Sequence, residues 1–216
     1  MEKLVKPNLV STYKKFKLKQ ISFDIAKTIV ESHPQINQVQ LIAHSAQINW
    51  RQLQSTNQSK SKDILGALHQ ERPNTILLTE RSDFLNMSID ELVGLNHGVW
   101  SITSKVVLRD DSIAHLPMMN FHPEDGVTIE DIEALIKAIS GNKPGVILSS
   151  GRYFHYYGNY LLSPSEWKSF MSKFLMPCVF VSPRYIGHRL QDSYATLRLT
   201  SDARFKPTIP YAIKLL

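Results

Sequence analysis

Apolar residues recur at helical spacing in several separate segments of the chain. The clearest pattern places Ile129, Ile132 and Ile136 on one face, begins at the capping residue Thr128 and ends at Gly141. Other segments begin with a capping box or with proline at the first helical position, and both features are typical of helix starts. The pattern predicts helices over residues 21–33, 63–69, 88–95, 127–140, 163–174 and 183–192.

Extended segments lie between these helices. Two of them, residues 98–108 and 113–121, are joined by Arg-Asp-Asp-Ser, which has the composition of a turn and predicts a β-hairpin. Strands are predicted over residues 36–50, 75–79, 98–108, 113–121, 145–150, 153–158, 178–182 and 194–201. Strands that form hairpins and also alternate with helices predict an α+β fold, with a mainly antiparallel sheet covered by helices on one face.

The polar segment LQSTNQSKSK, residues 53–62, is the best candidate for a boundary within the chain. We expect an N-terminal helical or α/β accessory region over residues 1–95 and a second domain over residues 96–216. No apolar run approaches the roughly 18 residues that cross a membrane. The N-terminus lacks the apolar stretch of a secretion signal, so we predict a cytoplasmic protein. Cys178 is flanked by apolar residues, which predicts a buried position in the core.

Basic residues are concentrated in the last third of the chain. The formal net charge of the whole chain is +6, and residues 141–216 hold ten lysine or arginine residues against Glu166, Asp192 and Asp202, a balance of +7. A concentrated positive field favours partners that carry phosphate. The alternative is that these charges are dispersed over unrelated faces and serve solubility.

The segment GVILSSGRYFHYYGNYLLSPSEW predicts a strand, a polar and aromatic run, and a capped helix. The run holds Ser149, Ser150, Arg152 and His155, whose side chains all donate hydrogen bonds to phosphate oxygens. A bend at Gly151 would bring one of the serines beside His155. Nucleophilic Ser–His chemistry also needs an orienting group and an oxyanion hole, and no nucleophile elbow is present. The run therefore predicts a phosphate-binding site.

Further basic and aromatic residues accompany this run. Arg184 and His188 are four residues apart on a predicted helix, so they share a face. Two interpretations are open: with Arg189 they extend the anion site, or they form a structural helix end. Aromatic side chains beside cations form stacking platforms for single-stranded nucleic acid. Strand aromatics are more often buried, so we expect at most half of this group to be exposed: Tyr153, Phe154, Tyr156, Tyr157, Tyr160 and Tyr185.

The order of these motifs resembles the archaeo-eukaryotic primase superfamily, in particular its small bacterial primase-polymerase-like members. The resemblance covers roughly residues 98–214 and rests on HLPMMNFH, LSSGRYFHYYG, VFVSPRYIGHRL and YATLRLT in that order. It implies a mainly antiparallel, RRM-like sheet with helices packed on it. It also implies that His155, with Ser150 and Arg152 nearby, binds the phosphates of a nucleotide.

The resemblance also implies where catalytic carboxylates would stand. Its first motif, an Asp-x-Asp pair, falls on Asn120 and His122, and its third, an aspartate, falls on Ser182. Polymerisation in this family uses two divalent ions held by these acids. An amide, an imidazole and a hydroxyl bind such ions poorly.

As substitutes, Asp110 and Asp111 lie too far away, about 30 Å before Asn120 along an extended strand at roughly 3.3 Å per residue. Glu124 and Asp125 are closer and stay open as substitutes, although acids at these positions more naturally lead the following helix. We therefore expect no catalytic residues, no metal and no cofactor.

The sequence leaves three functions open. The first is a nucleotide-binding or nucleic-acid-binding protein that no longer polymerises and acts as an accessory or regulatory subunit beside a replication, repair or defence protein. The second is an active nucleotidyltransferase, dependent on magnesium or manganese, whose acids come from elsewhere. The third is an interaction module whose basic surface contacts an acidic protein. The expected ligands are a nucleoside triphosphate, single-stranded nucleic acid, or both.

Overall fold

The computed structural model describes residues 16–44, 73–95, 98–202 and 206–216 of the chain. Within these ranges, none of the helices is long and apolar enough to cross a membrane. The predicted helix 63–69, the polar segment 53–62 and the second part of the predicted strand 36–50 lie outside the described residues. In chain order the elements are α1 (Ser22–Ser32), β1 (Ile36–His44), β2 (Thr75–Glu80), α2 (Arg81–Asn86), α3 (Ile89–Gly94), β3 (Val99–Leu108), β4 (Ile113–His115), β5 (Met118–Phe121), α4 (Ile129–Ser140), β6 (Gly145–Ser149), β7 (Phe154–Gly158), α5 (Pro164–Lys173), α6 (Pro183–Asp192), β8 (Thr196–Arg198) and β9 (Tyr211–Leu215).

The strands form two antiparallel sheets, which confirms the predicted α+β class. The first sheet has the order β2-β1-β3-β4, and β8 pairs with β3 beside β4. The second sheet has the order β5-β7-β6-β9. β1 lies in the predicted N-terminal region and β3 in the predicted second domain, and the two strands pair with each other. The division between residues 95 and 96 stays a prediction.

The predicted hairpin is present, although its second arm is divided between the two sheets. β3 and β4 pair in antiparallel register, and the turn between them contains Asp111 with φ 62°. The arm is interrupted at Pro117, which has no backbone N–H to continue a ladder. The carbonyl of Pro117 accepts a hydrogen bond from the Gly158 N–H at 2.8 Å, and β5 then pairs with β7. Pro117 therefore marks the point where the chain passes from the first sheet to the second.

Helices α4 and α5 cover one face of the second sheet. Phe121 of β5 contacts Phe174, just after α5, with ring centroids 5.8 Å apart. Lys214 of β9 pairs with Glu133 of α4 at 2.8 Å. Thr128 and Ser163 begin these helices with capping boxes, as predicted. Apolar residues at helical spacing along α5 and at its C-cap are buried: Trp167, Phe170, Met171 and Phe174.

The predicted strand over residues 178–182 is wrong, and so is the core position of Cys178. Residues 178–181 form turns, and the Phe180 N–H donates to the carbonyl of Pro177 at 3.0 Å instead of to a neighbouring strand. Proline residues on both sides of this short segment favour such local hydrogen bonds over a ladder. Val181 is buried, whereas Cys178 is exposed, because the turn directs only part of the apolar run inward.

Two paired glycines make room for an aromatic ring in the second sheet. Gly145 pairs with Gly158, and a Cβ on Gly145 would lie 2.5 Å from the Tyr156 ring and 2.9 Å from the Tyr157 carbonyl. Gly145→Ala is therefore expected to lower the free energy of unfolding by about 1–3 kcal/mol through overpacking. Chemical denaturation measures this change.

Gly187 offers the matched control. It lies in α6, and a Cβ there would meet nothing within 4 Å. Gly187→Ala is expected to raise the free energy of unfolding by about 0.5–1 kcal/mol, because alanine loses less backbone entropy in a helix. Equal effects from the two substitutions would contradict the packing described for Gly145.

Candidate anion-binding site

His155 and Asn120 lie side by side on one face of the second sheet. Asn120 of β5 is the antiparallel partner of His155 of β7, and paired residues point to the same side of a sheet. Alternation along β7 places Tyr157 on this face too. The opposite face packs against α4 and α5. The three polar side chains therefore face away from those helices.

Arg198 of β8 lies close to this face and is almost fully buried, at 9% exposure. One guanidinium nitrogen, Nη2, donates to the carbonyl of Ser150 at 2.9 Å. The other, Nη1, donates to the carbonyls of Thr200 at 2.9 Å, Lys206 at 3.4 Å and Thr208. These acceptors are neutral backbone groups, so they position the guanidinium and leave its positive charge uncompensated.

Several basic groups converge on His155. The pKa of His155 is lowered to about 3, first by burial and then by Arg198, Lys206 and His122. Burial also lowers the pKa of His122 to about 4, with further contributions from Lys206 and Arg152. Both imidazoles are therefore neutral at pH 7. Apart from burial, the groups that lower these two pKa values are all basic residues.

Three buried polar atoms on this face lack a hydrogen-bond partner among the described residues. They are Nδ1 of His155, Oδ1 of Asn120 and the hydroxyl of Tyr157. Burial raises the pKa of Tyr157, which keeps the phenol protonated and able to donate. Unsatisfied buried polar atoms cost free energy, and a bound ligand or water that bonds to them removes that cost.

A stack of three side chains lies at the edge of this cluster. The Tyr153 ring stacks on the His122 ring with centroids 4.1 Å apart and planes 26° apart. Arg152 is exposed, and its guanidinium lies 5.4 Å from the Tyr153 ring centroid. Arg152 and Lys206, the two basic residues that lower the pKa of His122, are thus both exposed to solvent.

The two serines of the sequence motif lie in and beside the hairpin turn between β6 and β7. Gly151 has φ 100°, a conformation that favours glycine, and it makes the predicted bend. Ser150 donates its hydroxyl to the carbonyl of Tyr153 at 3.0 Å, so this hydroxyl stabilises the turn. Ser149 pairs with Phe154, which puts its side chain on the face opposite His155. The bend therefore does not place either hydroxyl directly beside His155.

The predicted pair on α6 is formed as expected from its spacing. Nε of Arg184 donates to Nε2 of His188 at 3.3 Å. The same helix carries Tyr185, whose pKa burial raises to about 12. The aromatic group is mostly enclosed, as expected: Tyr156, Tyr157 and Tyr160 are buried, and Tyr153, Phe154 and Tyr185 are half-buried.

The three positions aligned with catalytic carboxylates lie near one another. Asn120 is in β5, and the N–H of His122 donates to the Phe180 carbonyl at 3.0 Å, two residues before Ser182. Ser182 caps the start of α6 without a side-chain hydrogen bond. An amide, a half-buried imidazole and a hydroxyl do not fit a hard divalent cation, which prefers carboxylate oxygens. In the described residues, no group of three or more His, Cys, Asp or Glu side chains is placed to hold a metal ion.

The acids considered as substitutes lie in other places. Asp110 and Asp111 are in the turn between β3 and β4 of the first sheet. The Asp110 carboxylate accepts hydrogen bonds from the N–H and hydroxyl of Ser112. Glu124 and Asp125 are exposed, and the Glu124 N–H donates to the carbonyl of Val179. None of these four is among the groups that shift the pKa of His155.

The sequence did not identify Arg198, Lys206 and Tyr157 as members of the site. Arg198 had a detectable signal, since alternation in residues 196–199 separates it from Leu197 and Leu199. That signal places a charged side chain on one face of a strand and does not say what the face contacts. Lys206 lies outside the named strands and has no such signal.

The molecule is thus an α+β protein with two antiparallel sheets and a group of basic side chains close to one face of the second sheet. A family profile described as AEP-like, archaeo-eukaryotic primase 1D-like, matches residues 79–211, more than half of the chain. The chain belongs to this archaeo-eukaryotic primase-like family, as the resemblance implied. The comparisons with curated proteins and with solved structures gave no match. Family membership indicates a function related to nucleotides or nucleic acids.

Proposed function

We propose that this protein binds the phosphate groups of a nucleotide at the site around His155 and does not polymerise it. In this proposal the protein acts as an accessory or regulatory subunit beside an active partner. The observation that carries the proposal is the buried Arg198 guanidinium, bonded to neutral backbone carbonyls, beside the unpartnered Nδ1 of His155.

The burial of the site favours a particular part of the ligand. His155 is 5% exposed and Arg198 is 9% exposed, so both groups lie beneath the surface. A terminal phosphate can enter such a site end-on, whereas an internal phosphodiester is flanked by two nucleosides. We therefore propose a nucleoside di- or triphosphate as the ligand at His155. Single-stranded nucleic acid would contact the exposed Arg152 at the edge of the site.

The donor set supports binding over polymerisation. Two-metal phosphoryl transfer needs carboxylates that hold both ions, and Asn120, His122 and Ser182 are not carboxylates. Neutral imidazoles, phenols and a fixed guanidinium instead donate hydrogen bonds to phosphate oxygens directly. Binding to these groups should therefore persist when divalent ions are chelated.

The direct test is calorimetric titration of the protein with a nucleoside triphosphate in the presence of EDTA. We expect saturable binding that weakens with salt, and we expect Arg152→Ala to weaken it by about threefold to tenfold, the effect of one partly screened charge. Lys168→Ala, which removes an exposed charge from α5 on the other side of the second sheet, should leave affinity unchanged.

Two results would overturn the proposal. Binding that appears only with magnesium or manganese, together with primer synthesis, would identify an active nucleotidyltransferase with acids outside the aligned positions. Equal losses from Arg152→Ala and Lys168→Ala would indicate a dispersed electrostatic surface. The double change Asn120→Asp with Ser182→Asp should introduce metal-dependent binding if the alignment of these positions is correct.

A further inference from the structure

The edge strand β2 exposes an apolar row that the nucleotide site does not use. In the described part of the chain, β2 is the outermost strand of the first sheet. Ile76 is 58% exposed and Leu78 is 53% exposed, and alternation puts them on one face of the strand. Edge strands of soluble proteins are usually protected by charged side chains, proline or a bulge. β2 contains no proline, lysine or bulge, and its one charged residue, Glu80, is at its end.

The sequence of β2 is complementary to itself when two copies are antiparallel. If a two-fold axis passes through Leu77, Ile76 of one copy faces Leu78 of the second copy, and the reverse contact is identical. The same register places Thr75 opposite Thr79, and threonine pairs favour cross-strand contact. Each exposed apolar side chain then gains an apolar partner.

Other registers lack this match. Centring the axis on Leu78 places Ile76 opposite Glu80, and centring it on Ile76 places Leu78 opposite Asn74. Burying an apolar side chain against a charged or amide group is less favourable than pairing two apolar ones. The axis through Leu77 also pairs Asn74 with Glu80, an amide donor with a carboxylate acceptor.

We propose that the protein forms a two-fold dimer through antiparallel pairing of β2 with β2 of a second copy, centred on Leu77. The pairing joins the two first sheets into one continuous sheet. The family match begins at residue 79, so most of β2 precedes the matched region. Six-residue strands bury less than the roughly 1,200 Å² of a standard interface, so the dimer is expected to dissociate in the micromolar range.

Sedimentation equilibrium over a range of protein concentrations tests the proposal. At about 100 µM, well above a micromolar dissociation constant, the wild-type protein should be mainly dimeric. Leu78→Lys should raise the dissociation constant at least about tenfold, because it opposes a charge to Ile76 in both halves of the interface. Val93→Lys adds the same charge at a 47% exposed apolar residue of α3 and should leave the dimer intact.

Disulfide cross-linking tests the register. In a Cys178→Ser background, Leu77→Cys should form a dimer under mild oxidation, because directly opposed Cα atoms are about 4.5–5.5 Å apart. Ile76→Cys should cross-link poorly, because its counterpart is a diagonal neighbour about 7–8 Å away. A wild-type protein that stays monomeric, equal effects of Leu78→Lys and Val93→Lys, or preferential cross-linking at residue 76 would each overturn the proposal.

Discussion

Arg198→Met is expected to abolish phosphate binding and to destabilise the protein in the same variant. The buried guanidinium of Arg198 is the charged group that contributes most to lowering the pKa of His155, and it bonds to four backbone carbonyls. Methionine fills a similar volume but leaves these carbonyls without their donor. Each lost hydrogen bond to a charged donor contributes about 1.5–3 kcal/mol before the surrounding backbone relaxes. Because that relaxation offsets part of the sum, we expect the free energy of unfolding to fall by about 3 kcal/mol.

The two effects of this substitution are separated by a conservative variant. Arg198→Lys keeps the positive charge, but an ammonium group cannot reach four acceptors that surround a planar guanidinium. We expect Arg198→Lys to retain measurable triphosphate affinity while losing a large part of the stability that Arg198→Met loses. Calorimetric titration measures the affinity, and thermal denaturation measures the stability.

A control variant addresses net charge. Lys168→Met removes one exposed positive charge from α5 and should change neither quantity. If Arg198→Met bound triphosphate as tightly as the wild-type protein at a temperature where it remains folded, the buried guanidinium would have no part in the site.

Stability is expected to decrease as the pH falls below about 6.5, and phosphate ligands are expected to oppose the decrease. The folded-state pKa is about 3 for His155 and about 4 for both His122 and His115, in each case lowered first by burial. An unfolded chain protonates these histidines near pH 6.5, so it binds more protons than the folded chain between pH 6.5 and 4. The difference favours unfolding as the pH falls and vanishes above pH 6.5.

The expected size of the effect follows from linkage. Each fully depressed histidine lowers the free energy of unfolding by at most about 1.4 kcal/mol per pH unit in this window. Urea denaturation at pH 7.5, 6.5, 5.5 and 4.5 measures the slope. An unchanged free energy of unfolding from pH 7.5 to 4.5 would contradict the burial described for these rings.

The three histidines should differ in their response to ligand. An anion at the site favours the imidazolium forms of His155 and His122, so triphosphate affinity should rise as the pH falls. His115 contacts Ser104 through Nδ1 at 3.2 Å and stacks on Trp167, away from the basic cluster. His155→Gln should reduce both the pH dependence of the free energy of unfolding and the pH dependence of triphosphate binding. His115→Gln should reduce only the pH dependence of the free energy of unfolding.

Local chemistry made much of the secondary structure predictable. Capping boxes at Thr128 and Ser163 and proline at the start of α6 act over a few residues, so the sequence locates these helices. The β3–β4 hairpin was predictable for the same reason. The turns at residues 178–181 were not, because apolar composition indicates burial and does not show whether a neighbouring strand is available.

The candidate site was only partly predictable. His155 and Arg152 were identified from their residue types beside a strand, and the resemblance gave the same positions. The turn contacts of Ser150 and the opposite orientation of Ser149 depend on how β6 and β7 pair. Arg198 and Lys206 are more than 40 residues from His155 in the sequence, and no local pattern links them to it.

The sequence by itself determined the helices, most of the strands, the basic character of the last third and the absence of carboxylates at Asn120, His122 and Ser182. These properties depend on residue types and on spacings within one or two turns. Only the tertiary structure decided which charges meet, since β8 reaches the β7 face through pairing with β3 in the other sheet. A buried guanidinium that bonds to backbone carbonyls is a product of that long-range packing.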